Sequence, residues 1–93
     1  MSSRRWQVVI ASPAVRDIDR LPMKVAAAAL EAIHSIAANP WRIGKPLHLE
    51  LKGQWSARRG PYRIIYSIDD LTDTITVTAI AHRADVYRRA RRD

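Results

Sequence analysis

Cysteine is absent from the 93 residues, which removes disulfides and thiolate metal sites. No apolar run approaches the roughly 18 residues a membrane-spanning helix needs. The N-terminal "MSSRRWQVVIASPAV" joins a basic start to an apolar stretch, but that stretch is too short for a signal peptide and reads better as a strand leading into a helix. A cytoplasmic protein without membrane contact is expected. A glycine-rich phosphate loop and an HExxH pair are also missing, so a P-loop nucleotide site and a zincin centre find no support. Acidic residues are scarce, nine against sixteen Lys and Arg.

What is present is positive charge. The net charge is +7, and the excess is uneven: residues 41–93 hold eleven basic and six acidic residues, residues 1–40 five and three. A basic domain of this kind faces a polyanion, with nucleic acid first and an anionic membrane or acidic protein behind it. Charge alone does not choose, and a basic surface kept for solubility is the plain alternative. The length suits one domain, 1–93, with a small core that a partner could help to stabilise.

Along the chain, "RWQVVIAS" is apolar on both alternating sets, the pattern of a strand buried on both faces and central in a sheet. Ser12 and Pro13 are expected to cap and open a helix to about Arg20, with Val15, Ile18 and Leu21 inward. Pro22 opens a second, alanine-rich helix whose apolar stripe is Met23, Ala26, Leu30, Ile33 and Ala37, ended by Asn39-Pro40. Residues 41–53 mix loop signals with the alternating "LHLEL" and are expected to connect, leucines inward. "QWSARR" and "YRIIYSID" form a hairpin through Gly60-Pro61, and "TITVTAIAH" follows the turn at "DDLTD". The basic stretch from Arg83 to Arg92 suits a short helix. The class is therefore α+β, in β-α-α-β-β-β order with a short C-terminal helix: two helices packed on one twisted, mainly antiparallel sheet, its first strand able to pair in parallel after the helical crossover.

Chemistry concentrates in the basic half. His34, His48 and His82 lie far apart in sequence, and Asp69, Asp70 and Asp73 sit where Asp ordinarily forms turns, so no metal or cofactor is assigned. The stretch "WSARRGPYRIIY" places Arg58 and Arg59 on opposite strand faces and Arg63 on the face of Ile65 and Ser67. His82, Arg83 and Tyr87 follow at the end of the next strand. Strand neighbours lie about 5 Å apart, so these side chains are expected to meet in one patch; solvated strand ends are the alternative. Such a patch suits RNA cleavage without a metal: a 2′-OH attacks phosphorus, guanidiniums hold the phosphate, and His82 or Tyr87 moves the proton.

With these residues in hand, the chain resembles the RelE/ParE superfamily of bacterial toxins from type II toxin–antitoxin systems. The resemblance rests on "RDIDRLP", "GKPLHLELKGQWSARRGPYRIIYSID" and "AHRADVY", in that order over nearly the whole length, with "G-x-W-S-x-R-R" similar to the YoeB branch. It implies a RelE-like microbial RNase fold and mRNA cleavage in the ribosomal A site that leaves a 2′,3′-cyclic phosphate. By the same resemblance Arg63 contacts the scissile phosphate, Arg58 supports it, Arg83 and Tyr87 match the later arginine and the aromatic acid/base, and His82 matches a YoeB-like histidine. RNA contacts are expected from Lys45, Lys52, Arg59, Arg88 and Arg89. Gln54 and Ser56 stand where RelE carries lysines, with Lys52 the nearby substitute, and Glu50 does not align with the YoeB-like glutamate. Implied partners are the ribosome with its mRNA and a cognate antitoxin, in a hetero-oligomer. Two other functions remain open: a ParE-like gyrase poison without nuclease activity, and an RNA-binding module whose site has decayed.

Overall fold

The computed structural model describes residues 5–91, with side chains through Arg88. The elements are β1 (Gln7–Ile10), α1 (Ser12–Arg20), α2 (Met23–Ala38), α3 (Pro40–Ile43), β2 (Lys45–Pro46), a 3₁₀ turn (Leu49–Leu51), β3 (Gln54–Arg59), β4 (Tyr62–Asp69), β5 (Thr74–His82) and α4 (Val86–Arg91). One five-stranded sheet runs β1-β5-β4-β3-β2. β1 lies parallel to β5, and every other pair is antiparallel. The expected α+β order is present, enlarged by α3 and β2 from the ambiguous segment 41–53. None of the described helices is long and apolar enough to cross a membrane.

The two faces of the sheet carry different cores. On one face Ala57, Ile64, Tyr66, Ile75, Val77 and Ile80 pack against Ala14 of α1 and Ala29, Ala32, Ile33 and Ile36 of α2. On the other, Ile65 and Ala79 form a smaller cluster with Leu51 and Val86, which anchors α4 across the sheet. Ile64 and Ile65, adjacent and both fully buried, therefore serve opposite cores.

Several expectations are corrected. β1 is an edge strand and largely exposed, not central, because it pairs on one side only. The first helix begins at Ser12 with Ala11 as N-cap, and no side chain caps it. Its buried positions are Ala14 and Asp17, while Val15 is exposed. Asp17 is only 4% exposed, and its Oδ2 accepts the Ile80 N–H at 2.9 Å, so a carboxylate fastens α1 to β5. In α2 the buried stripe is Ala29, Ala32, Ile33 and Ile36, whereas Met23 is 88% exposed and Leu30 is also exposed. Alanine on every side weakens the directional signal, and small side chains let the helix lie close to the sheet. Leu49, expected inward, has φ 57° and is 90% exposed; Leu51 is the buried leucine.

Tyr66 ties the fold to the functional face. It is fully buried and donates to the Pro40 carbonyl at 2.6 Å. Burial pushes its phenol up from an ordinary value near 10 to about 12, against a smaller opposing effect of the Gly44 backbone. The fold thus favours the neutral phenol, so this stabilisation is complete below pH 10 and is lost as the pH climbs through about 12. It amounts to roughly 2–3 kcal/mol. Urea unfolding between pH 9 and 12 is expected to show a steeper alkaline loss for the wild type than for Tyr66→Phe.

Candidate active site

The hairpin of β3 and β4 builds the site. Gly60 takes φ 57°, which a residue without Cβ accepts at little cost, and Pro61 follows with its ring-fixed φ. Tight closure sets Arg59 opposite Tyr62, Arg58 opposite Arg63 and Ser56 opposite Ile65. Arg58, Arg63 and Ser56 thereby share the face away from α1 and α2. The Arg63 guanidinium is pinned to the turn, its Nη1 donating to the Gly60 carbonyl at 3.1 Å and the Tyr62 carbonyl at 3.0 Å.

β2 adds the next rung: Lys45 lies opposite Ser56 and Pro46 opposite Trp55. α4 closes the site from above. Val86 is buried in the small core, so Tyr87 sits beside Ser56, the two hydroxyls 3.5 Å apart. The result is a cleft of about 350 Å³ whose polar lining is Lys45, Ser56, Arg58, Arg63 and Tyr87, with Ile43 and Leu47 as an apolar wall. Three cations meet here and no carboxylate lines the cleft among the described residues. Like charges gathered without a counter-ion oppose folding and favour an anionic ligand. Arg58 and Arg63 offer forked donors for a phosphate, and the Tyr87 phenol can move a proton.

The remaining candidates lie elsewhere. His82 pairs with Tyr62 on the opposite face, its ring centroid 5.9 Å from the Tyr62 ring in an edge-on contact. Its Nδ1 accepts the Ala84 N–H at 3.1 Å. His82 belongs to a second cleft of about 200 Å³ beside α1, together with Arg88, Arg20 and Asp17. Arg88 also pairs with Asp85 at 3.3 Å. Arg59 faces α2 and pairs with Glu31 at 2.9 Å. The exposed Arg83 follows β5, its backbone N–H bonded to the Pro61 carbonyl; like the exposed Lys52, it is not part of the cleft lining. The Arg89 side chain lies outside the described residues. The single patch expected from successive strand ends is thus divided between two faces: Arg58, Arg63 and Tyr87 meet, and His82 does not join them. No three His, Asp or Glu side chains converge among the described residues. At the β4–β5 turn Asp69 instead accepts the Leu71 and Thr72 N–H groups, the ordinary Asx role.

Two contributions go beyond what the sequence indicates. Ser56 touches the Tyr87 hydroxyl, which only the docking of α4 reveals. Asp17 had a signal: it lies three residues from Ala14 and one from Ile18, on the apolar side of α1.

The described residues thus form a basic α+β domain with a cationic cleft beside an ordered tyrosine, an arrangement chemically suited to an anionic ligand. Residues 8–87 match the family described as the ParE toxin of type II toxin–antitoxin systems. Toxin RelG of Mycobacterium tuberculosis is 45% identical over 85 residues, covering 90% of this chain and 98% of that protein. Toxin RelE of the same organism is 45% identical over 84 residues, covering 89% and 87%. The crystal structure of the toxin–antitoxin complex RelBE2 from M. tuberculosis contains a chain that superposes with a TM-score of 0.81 at 40% identity, over 85% of this chain and 99% of that one. The isolated RelE toxin of E. coli has the same fold, with a TM-score of 0.72 at 16% identity over 91% and 94%. The chain belongs to the RelE/ParE superfamily and is a toxin of a type II, RelBE-type toxin–antitoxin system.

Proposed function

We propose that this toxin is an endoribonuclease that cuts mRNA on the ribosome and so stops translation. The observation that carries the proposal is the convergence of Lys45, Arg58 and Arg63 with Tyr87 in a cleft that no carboxylate lines among the described residues. In the reaction the substrate 2′-OH loses its proton and attacks the adjacent phosphorus, the O2′–P bond forms, the P–O5′ bond breaks, and the 5′-oxygen leaves protonated. Arg63, held by the turn, and Arg58 opposite it meet the phosphate oxygens as negative charge builds. Tyr87, beside Ser56, gives its proton to the departing 5′-oxygen and takes up the one released from the 2′-OH, so the proton lost by the nucleophile matches the one gained by the leaving group. The products are a 2′,3′-cyclic phosphate and a 5′-hydroxyl. His82, on the other face, takes no part in the proton transfer.

The toxin is proposed to act in the cytoplasm and to be neutralised by a cognate antitoxin in a hetero-oligomer; several of the structures it resembles are complexes of RelE with RelB. The ParE description of the matching family keeps a second reading in view, binding to DNA gyrase without cleavage. Primer extension on a defined mRNA, with and without programmed ribosomes, separates the two. Cuts in codon register that require ribosomes are expected; no cuts, with inhibition of gyrase supercoiling instead, would establish the second reading.

A further inference from the structure

Resting on the nuclease reading, we infer that Lys45 is a catalytic residue whose ammonium, delivered from β2, supplies the third cation on the scissile phosphate. Three observations meet on it. The residues of β3 on the cleft side are Gln54, Ser56 and Arg58, so that strand brings a single charge to the phosphate. Lys45 is the direct neighbour of Ser56 across the β2–β3 pair and lines the same cleft as Arg58, Arg63 and Tyr87. Lys52, the nearer lysine in sequence, lies past the 3₁₀ turn and outside that lining.

The geometry also assigns its task. Strand neighbours stand about 5 Å apart, and a lysine stem reaches farther than that, so an anion seated over Ser56 has Lys45 beside it on β2 and the Arg58–Arg63 pair at the next rung of the β3–β4 hairpin on the same face. The Tyr87 hydroxyl borders the same spot through its contact with Ser56. When O2′ bonds to phosphorus and P–O5′ stretches, the phosphorane carries more negative charge than the resting diester. A fixed cation then stabilises the transition state more than the ground state. Lys45 transfers no proton in this step; it acts as a point charge, the way lysine commonly meets phosphate.

Position is secured by Gly44. A side-chain carbon there would collide with the Tyr66 hydroxyl, so the chain at Lys45 is seated directly on a buried tyrosine. The short β2 strand therefore presents its lysine from a packed support rather than from a free loop.

The test is single-turnover cleavage of mRNA in programmed ribosomes at saturating toxin, comparing wild type, Lys45→Ala, Lys45→Arg, Lys45→Gln and Lys52→Ala. Thermal melts establish that each variant is folded, and ribosome pelleting measures occupancy separately. Lys45→Ala and Lys45→Gln are expected to lose about 10²-fold in the cleavage rate constant at full occupancy. Lys45→Arg is expected to retain most of the rate, and Lys52→Ala, outside the cleft lining, to lose less than Lys45→Ala. Wild-type rates in Lys45→Ala, or equal losses in Lys45→Arg and Lys45→Ala, would overturn the assignment while leaving the nuclease reading intact. A deficit confined to ribosome occupancy would also overturn it, making Lys45 a binding residue only. Failure of the wild type itself to cut would remove the nuclease reading and the assignment together.

Discussion

Arg63→Ala is expected to lower the rate of mRNA cleavage on the ribosome by at least about 10²–10³-fold. Arg63 is the cleft cation with the most constrained placement: its Nη1 is shared between the Gly60 and Tyr62 carbonyls, so the guanidinium needs little reorganisation when charge develops on the phosphate. Flexible surface lysines in its place would spend binding energy on being ordered. The carbonyls it leaves behind lie at the hairpin turn, where Gly60 is exposed and water can replace the lost donor. Thermal stability is accordingly expected to stay near that of the wild type. A large loss of activity in a variant that melts normally marks a role in chemistry; a parallel loss of both would assign Arg63 to folding. Lys in its place is expected to recover only part of the rate, because an ammonium lacks the forked donor geometry.

The second large effect is on stability. Gly44→Ala would drive a methyl into the Tyr66 hydroxyl and tightly against the Ser56 carbonyl. Neither can move freely: Tyr66 is fully buried and bonded to the Pro40 carbonyl, and Ser56 lies in the β3 ladder. Overpacking together with a strained buried hydrogen bond is expected to cost about 2–4 kcal/mol. For a domain of this size the melting temperature should fall by roughly 10–25 °C. The mechanism has a specific check. Combining Gly44→Ala with Tyr66→Phe removes the atom in collision, so the double variant is expected to be more stable than the two single losses added together. Strict additivity would show that the collision is not the cause. Because Gly44 precedes Lys45, partly folded Gly44→Ala protein should also cut slowly.

Much of this arrangement is legible in residue order. The alternation of Tyr62, Ile64 and Tyr66 against Arg63 and Ile65 assigns β4 its two faces correctly, and Gly60-Pro61 marks the hairpin that sets Arg58 opposite Arg63. Grouped helices ahead of hairpin-linked strands indicate α+β, and the likeness to RelE/ParE toxins is carried by motifs spread over the chain. The residues of the site were harder to divide between faces, and β5 shows why. Under strict alternation Ile75, Val77, Ala79 and Ala81 share one face, which puts His82 on the other, beside Arg63. In the fold Ile65 pairs with Ala79 and Tyr66 with Val77, leaving Thr78 as the extra residue of a bulge. Every residue beyond it changes sides. Ile80 joins the larger core, His82 goes with it to Tyr62, and the small Ala79 is left beneath α4. Nothing local announces the bulge: "TVTAIA" supplies an apolar residue to either register, and packing against α1, including the Asp17 bond to the Ile80 N–H, decides. Helix stripes misled for a related reason. In α2 alanine fills so many positions that Met23 and Leu30 look like core by size, while the close approach of the sheet selects the smaller side chains.

That division between faces is also where the proposed site is most exposed to test. The decisive measurement is the single-turnover rate of ribosome-bound mRNA cleavage for Arg58→Ala, in the cleft, against His82→Ala, on the opposite face. Arg58→Ala is expected to cut about 10²-fold more slowly than the wild type, and His82→Ala to cut at close to the wild-type rate. An inactive His82→Ala beside an active Arg58→Ala, both folded, would contradict the cationic cleft as the place where RNA is cut.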